Sequence, residues 1–388
     1  MSEIPPNVEG LADDIVEDFT YEATVPKMKI FLPWHRPRKQ FVRQHQWCEQ
    51  IGRMLDDSPL TDGILKYMGL PGVDLLDLRH FHSAVCEPRK VSLRFLGFNS
   101  SAMPQDDAQT ELNVSLDEVR RLPNVDPMSN VIGDNFALLA KEDSIAWRKT
   151  RELGPYDVIN LDLCDGFGSQ APCALSQTYY DAVSRLLTLQ SRYKSPWLLL
   201  LTTRADKANV DAQVLKALIS KYDDNLVKYE PFRQASLEKF AIETTEALNT
   251  AADTPDGLVK VFLTGLCKWF LGLALAYNPP TIVELRSVIG YRVNQDATHE
   301  DLISLALRFT PTYVPPPDPI GLAIQPRVPP DECTLSARAL RRVAKRVDAD
   351  KALADTIELR QEMIDATAHL LGLARYDENA YKAWALQS

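Results

Sequence analysis

One stretch of the sequence, residues 156–168, most constrains the fold. It reads YDVINLDLCDGFG, so a run of apolar residues stops abruptly in acids and glycines. The side chains of Val158, Ile159, Leu161 and Leu163 favour burial on both faces, as in a central strand of a parallel sheet. Open α/β sheets bind their ligands at the carboxyl ends of such strands. The stretch therefore predicts a buried strand that ends at a ligand site.

Five apolar runs, including this one, alternate with segments of helical periodicity. They lie at residues 64–68, 91–98, 130–133, 156–163 and 196–203. Strands that alternate with helices are typical of a parallel sheet covered by helices on both faces.

After the fifth run the pattern changes. Residues 208–277 are mostly helical in periodicity, and two apolar runs follow at 281–293 and 301–309. A polar segment joins these runs, so the second can pair antiparallel with the first. We therefore expect an α/β fold with a mostly parallel, seven-stranded sheet and helices on both faces.

The two ends of the chain predict additions to this domain. Residues 1–25 are acidic and are interpreted as a flexible arm before an α/β domain at 26–310, which contains the helical insertion 208–277. The Pro-rich residues 311–333 predict an extended linker. Residues 334–388 predict a helical tail with a basic first helix, through which a protein partner could dock.

Charge and cysteine usage narrow the classes of function. The net charge of −10 argues against general nucleic-acid binding, although a local basic patch is compatible with it. Six cysteines without C-x-x-C spacing predict no metal site. The acidic amino terminus is not a signal peptide, and two lysines within the apolar residues 258–277 favour a buried helix over a membrane span. We expect a cytoplasmic protein without membrane contact.

The order of elements resembles the class I S-adenosylmethionine-dependent methyltransferase family. The resemblance covers about residues 60–310, and it rests on five alternating strands, a helical passage and a closing antiparallel pair. It implies a Rossmann-like transferase that binds S-adenosylmethionine and methylates an acceptor. The acceptor is open and includes nucleic acid, protein and small molecules.

The resemblance also implies which residues hold the cofactor. The turn after the first strand would approach its methionine end, the end of the second strand its ribose, and the end of the third its adenine. The end of the fourth strand would lie where the acceptor meets the methyl group. The matching residues are Gly69, Leu70, Pro71, Gly72, Asn99, Asp134, Asn135, Phe136 and Asn160.

Two acids near the end of the fourth strand are catalytic candidates. A carboxylate that is desolvated there without a role is costly, so we expect Asp162 or Asp165 to take the proton when a neutral acceptor is methylated. The Phe167 ring could lie against the acceptor. The alternative for several of these residues is structural, since 69–72 could be a plain turn and Asp134 a helix cap.

A basic segment with aromatic residues, 34–43, precedes the first strand. Such a mixture can bind the phosphates and bases of nucleic acid. It is equally compatible with a helix start that is anchored to the sheet by Trp34 and Trp47. The cations concerned are Arg36, Arg38, Lys39 and Arg43.

Departures from the family pattern leave a second function open. The usual G-x-G-x-G turn is missing, Pro71 lies within the turn, and Asn99 stands where an acid is common. A catalytically degenerate scaffold or specificity subunit in a protein complex is therefore the alternative to a transferase. A nicotinamide-dependent enzyme is disfavoured, because no G-x-G-x-x-G occurs.

Overall fold

An eight-stranded sheet forms the centre of the protein. The computed structural model describes residues 29–100, 107–163, 165–171, 178–293, 299–312, 318, 320, 322 and 331–387. The strands are, in chain order, β1 (Ile64–Gly69), β2 (Ser92–Phe98), β3 (Asn130–Ile132), β4 (Val158–Asp162), β5 (Trp197–Arg204), β6 (Thr281–Tyr291), β7 (Leu302–Pro311) and β8 (Val347–Asp348).

The sheet is mostly parallel, and this confirms the expected fold class. Its spatial order is β3-β2-β1-β4-β5-β7-β6-β8. Strands β1 to β5 pair in parallel, whereas β7 pairs antiparallel with both β5 and β6. The predicted count of seven strands omitted β8, which has two residues and pairs with Ile289 and Gly290 of β6. Two residues are too few to give a strand pattern in a sequence.

Helices cover both faces of the sheet. They are α1 (Pro37–Val42), α2 (Glu49–Asp57), α3 (Leu76–Phe81), α4 (Glu87–Arg89), α5 (Asp107–Arg120), α6 (Ile145–Leu153), α7 (Tyr179–Gln190), α8 (Ala212–Lys228), α9 (Glu230–Phe240), α10 (Thr245–Ala252), α11 (Pro255–Leu275), α12 (Glu332–Val343), α13 (Ala349–Asp355), α14 (Ile357–Gly372) and α15 (Glu378–Leu386). A π-helical segment, Arg43–Cys48, joins α1 to α2.

Each face of the sheet has its own core. Helices α6 to α12 supply side chains to one core, which includes Ile159 and Leu161 of β4. The segment from α1 to α2, together with α3, α5 and α13, supplies the other, which includes Val158. The alternation along β4 therefore assigns successive residues to opposite cores.

The most apolar helix, α11, is a core helix. It is long and apolar enough to cross a membrane, but 72% of its most apolar window is buried within the protein. Its Lys268 is buried and forms an ion pair of 2.7 Å with Glu332 at the start of α12. The prediction of a buried helix is therefore confirmed.

Some local predictions differ from the structure. The sequence pattern predicts a short helix at 115–121, but α5 begins earlier, at Asp107. It predicts one helix at 136–150, but the structure has a 3₁₀ turn (Phe136–Ala140) followed by α6. Asp74 lies where a helix cap is expected from the sequence, but it does not cap α3. Its carboxylate is instead bound by Lys29 at 2.6 Å and by the Tyr376 hydroxyl at 2.8 Å.

The predictions for the two ends of the chain have different outcomes. The predicted arm and most of the Pro-rich linker lie outside the described residues, so they stay predictions together with the domain boundaries. Residues 331–387 are helical, as expected, apart from short turns and β8. They pack on the rest of the chain. Helix α12 contributes to the same core as α11, and α14 contributes to a cluster with Leu76 of α3.

We predict opposite effects of two alanine substitutions in α11. A Cβ at Gly265 would lie 2.7 Å from the Cβ of Leu218 in α8, whereas a Cβ at Gly272 would meet nothing within 4 Å. Gly265→Ala should lower the free energy of unfolding by about 1–3 kcal/mol through overpacking. Gly272→Ala should raise it by about 0.5–1 kcal/mol through helix propensity. Urea unfolding measures both, and equal effects would contradict the α8–α11 packing.

Candidate functional site

The strand order reverses between β1 and β4, and ligands of open α/β sheets bind at such a point. Here Gly69, the last residue of β1, pairs in register with Asn160 of β4. Gly69 also pairs with Gly97 of β2 on its other side. The loops that follow β1, β2 and β4 therefore leave from one edge, the carboxyl edge of the sheet.

The first two of these loops are in contact. The Asn99 side chain is buried and donates a hydrogen bond of 2.9 Å to the carbonyl oxygen of Pro71. The Pro71 ring lies over β2, where a Cβ on Gly97 would be only 2.8 Å from its Cγ. Pro71 and Asn99 are both predicted to bind the cofactor. In the structure they hold the two loops together.

Aromatic contacts link the remaining loops to the same edge. Phe98 at the end of β2 lies 6.4 Å from Phe136, whose ring lies 6.3 Å from Tyr179. The Tyr179 ring stacks on Phe167 at 6.4 Å, and its hydroxyl lies 3.2 Å from both carboxylate oxygens of Asp165. The four loops that the sequence predicts to meet are thus connected to each other.

Several of the predicted cofactor residues have structural roles. Asn135 caps the 3₁₀ turn, because its side chain accepts a hydrogen bond of 2.8 Å from the Ala137 amide. Phe136 is buried in the core, and so is Phe167, which the sequence predicts to lie against the acceptor rather than the cofactor. In contrast, Gly72 is exposed with open space around its Cα, and Asp134 and Leu70 are half-buried. The accessible part of the edge therefore lies beside Leu70, Gly72, Asp134 and Asp165.

Asn160 is a buried polar residue of the edge whose side chain lacks hydrogen bonds. Its side chain is 1% exposed, and neither amide atom has a hydrogen-bond partner among the described residues. The amide is near enough to Tyr67 to oppose the rise in the pKa of that hydroxyl, but without normal hydrogen-bond geometry. A buried amide without partners costs about 1–3 kcal/mol, so Asn160 is a candidate ligand contact.

An ion pair between a buried lysine and a partly exposed aspartate lies next to Asn160. The ammonium group of Lys39 in α1 lies 2.5 Å from Asp162 and 4.5 Å from the centre of the Trp47 ring. Burial alone would lower the pKa of Lys39, but Asp162 and Tyr291 outweigh it and raise that pKa. Lys39 is therefore charged, and Asp162 is engaged by it.

The other cations of residues 34–43 also have partners within the protein. Arg43 is buried and pairs with Asp77 at 2.7 Å, and Arg38 pairs with Asp350 at 3.2 Å. The Arg36 guanidinium lies 4.0 Å from the centre of the Trp384 ring. This placement favours the anchored helix over a nucleic-acid surface, and nucleic-acid binding by this segment stays a prediction.

Sequence reasoning missed two residues near Asn160 and Asp162, Tyr67 and Tyr291. Burial raises the pKa of Tyr291 to about 12, and burial followed by the charge of Asp77 raises the pKa of Tyr67 well above its ordinary value. Two features of the sequence indicate part of this cluster. Tyr67 alternates with the apolar Met68 on β1, and Lys39 and Arg43 are four residues apart, on one helix face.

The expectation of no metal also stays a prediction. Within the ranges that the structure describes, no three side chains of His, Cys, Asp or Glu are grouped so as to hold a metal ion.

The mostly parallel sheet, the antiparallel β7 and the helices on both faces are consistent with a methyltransferase-like Rossmann fold. A model of the family described as PP_RS20740-like matches residues 28–386, and the chain belongs to this family. The family description names no activity.

A solved structure gives a more distant likeness. It is a Listeria monocytogenes protein described as a class I S-adenosylmethionine-dependent methyltransferase, with 11% sequence identity and a TM-score of 0.35. The match covers 74% of this chain and 65% of that chain, so it spans less than two thirds of that protein. No curated protein matches this chain.

We predict strong coupling between Lys39 and Asp162. Asp162→Asn alone should lower the free energy of unfolding by about 3 kcal/mol, because it leaves the buried charge of Lys39 without its partner. Lys39→Met should lower it by less, because the Asp162 side chain is 22% exposed and water can solvate its charge. The double variant should lose less than the sum of the two, by about 1–3 kcal/mol. Urea unfolding of all four proteins measures this coupling.

Lys149→Met is the control for this cycle. Lys149 pairs with Glu152 at 2.7 Å on the surface, with about half of each side chain exposed. Its loss should change stability by less than about 0.5 kcal/mol. Strict additivity of the two changes at Lys39 and Asp162 would contradict the buried pair.

Proposed function

We propose that the protein binds S-adenosylmethionine at the carboxyl edge, between β1 and β4, and transfers its methyl group to an acceptor. The observation that carries this proposal is the Asn160 amide. It is buried at the reversal of the strand order, it lacks a partner among the described residues, and its register partner is the last residue of β1. A ligand with polar groups at this edge would satisfy the amide.

The residues nearby fit such a cofactor in part. Exposed Gly72 lets a ligand approach the backbone of the turn. The half-buried carboxylate of Asp134 can accept a hydrogen bond from an amine. S-adenosylmethionine would supply a methyl group on a positively charged sulfur, and the chain would align an acceptor with it.

Of the two catalytic candidates, Asp165 is better placed to take a proton. Asp162 already accepts a charge-assisted hydrogen bond from Lys39, whereas Asp165 is exposed and contacts the Tyr179 hydroxyl. An acceptor that enters beside Asp165 would also lie near the accessible side of the edge. In this proposal Asp162 positions α1 over the site through Lys39.

A second candidate function is a scaffold that keeps the fold without the chemistry. The observation that favours it is the engagement of predicted cofactor residues in the structure itself: Asn99 binds Pro71, Asn135 caps a turn, and Phe136 is buried. In this case the protein would act as a partner-binding subunit. The two candidates differ in whether the edge binds the cofactor.

We predict that Asn160→Leu has opposite effects on cofactor affinity and on stability. Titration calorimetry with S-adenosylmethionine and S-adenosylhomocysteine should show binding by the unmodified protein and about tenfold or weaker binding by the variant, because a buried hydrogen bond is lost. The same change should raise the free energy of unfolding by about 1 kcal/mol, since an unpaired amide is replaced by an apolar group.

Asn225→Leu is the matched control. Asn225 is also buried, but its amide donates a hydrogen bond of 3.1 Å to Glu332, far from the edge. The control should lose stability and keep cofactor affinity. Absence of any binding by the unmodified protein at millimolar cofactor would overturn the transferase and favour the scaffold. Equal affinity in Asn160→Leu would remove Asn160 from the site.

A further inference from the structure

A cationic face lies on α12 and the turn that follows it. Arg338, Arg341, Arg342 and Lys345 are spaced so that they share one side of the helix, and all four are exposed. With Glu284 and Arg286 of β6, which form an ion pair of 3.5 Å with each other, they line a cavity of about 250 Å³ between α12 and β6. We call this cavity and its walls the basic groove.

Among the described residues, none of these four cations forms an ion pair within 4.0 Å, although Arg341 is near enough to Glu238 to help lower the pKa of that carboxyl group. The neighbouring Arg346, in contrast, pairs with both Asp256 and Glu300. Like charges three and four residues apart on a helix repel each other. The protein as a whole carries a net charge of −10, so the basic groove is a local exception that favours an anionic occupant.

One wall of the basic groove is an open strand edge, and this feature indicates that the groove can bind a peptide. The floor consists of buried apolar side chains from both elements, Val283, Leu285, Leu335 and Ala339. The wall is an edge of the sheet: β6 pairs with β7 on one side, but on the other side β8 joins it only at Ile289 and Gly290. Residues 281–288 thus have no strand beside them there among the described residues, and such an edge can pair with an added strand.

We propose that the basic groove binds an extended peptide of a partner protein in which acidic and apolar residues alternate. The peptide would add as a strand beside residues 281–288 of β6, with its backbone paired to the open edge. Alternation would place its acids on the face of the sheet that α12 covers, next to Arg338 and Arg342, and its apolar residues on the opposite face of the sheet.

Two other occupants fit less well. Single-stranded nucleic acid would match the cations, but it has no peptide backbone to pair with the edge of β6. A second copy of this chain, paired two-fold through the same edge, would bring the two sets of arginines towards each other, which is unfavourable. The peptide is the occupant that uses both the charge and the edge.

The test uses the full chain and a fluorescein-labelled peptide of alternating glutamate and valine, about ten residues long. Fluorescence polarisation should show saturable binding that weakens as the salt concentration rises. The double variant Arg338→Glu/Arg342→Glu should weaken binding about tenfold or more. The control Arg148→Glu/Lys216→Glu changes the net charge equally at two exposed cations elsewhere and should leave affinity within about twofold.

A second peptide separates strand addition from charge alone. It has the same sequence, but all of its backbone nitrogens are methylated, so it keeps every carboxylate and loses the backbone donors, including those that would face the edge. It should bind about tenfold more weakly or worse. Arg338→Gln/Arg342→Gln, with circular dichroism as a check of folding, replaces the reversal variant if that variant does not fold.

Four results would overturn the proposal. They are no saturable binding of the first peptide, equal binding of the methylated peptide, displacement of the peptide by a single-stranded oligonucleotide that binds more tightly, and a dimer in sedimentation that Arg338→Glu/Arg342→Glu dissociates. The third result would assign the groove to nucleic acid, and the fourth to a second copy.

Discussion

The ion pair between the buried Lys39 and the partly buried Asp162 determines how the amino-terminal helical segment lies on the sheet. Taking an ammonium and a carboxylate group out of water costs several kcal/mol for each, and only a fixed, close geometry repays it. The observed separation of 2.5 Å meets that condition. Farther along the same segment, Gln46 and Trp47 donate hydrogen bonds to Ser304 of β7, so polar contacts fix the segment across several strands.

This arrangement divides the carboxyl edge into a covered and an accessible part. Successive residues of β4 point to opposite cores, so Asn160 and Asp162 both face the segment around α1, while Ile159 and Leu161 face the helices on the other side. Asp162 has its charge partner there, and Asn160 has none among the described residues. The accessible part carries Gly72, Asp134 and Asp165 instead. A ligand of this edge would have to reach the first part through the second.

The predictability of the fold and of the site differs for a physical reason. Apolar runs report burial directly, so the strands from β1 to β7 were located to within two or three residues, and the sheet order follows from the alternation with helices. Ion pairs are different, because Lys39 and Asp162 are 123 residues apart, and a helix with Lys39 and Arg43 has the same local pattern whether these cations face water or carboxylates. The inward direction of that face depends on Asp77 and Asp162, whose positions only the folded chain defines. Asp74 is a similar case, since its partners Lys29 and Tyr376 come from opposite ends of the chain.

The contrast between α1 and α12 shows what a cation can reveal about function. In both helices one face is buried, with Phe41 and Val42 in the first and Leu335 and Leu340 in the second. The cations Lys39 and Arg43 form ion pairs with carboxylates of the same chain, so a role in stabilising the fold accounts for them. Arg338 and Arg342 contribute nothing comparable within the described residues, and their mutual repulsion opposes folding slightly. The chain contains more acidic than basic residues, and Arg346 next to α12 forms ion pairs with two of these acids. Carboxylates are therefore available near this helix. Arginines without ion pairs beside an open strand edge are therefore the basis on which we propose a negatively charged partner.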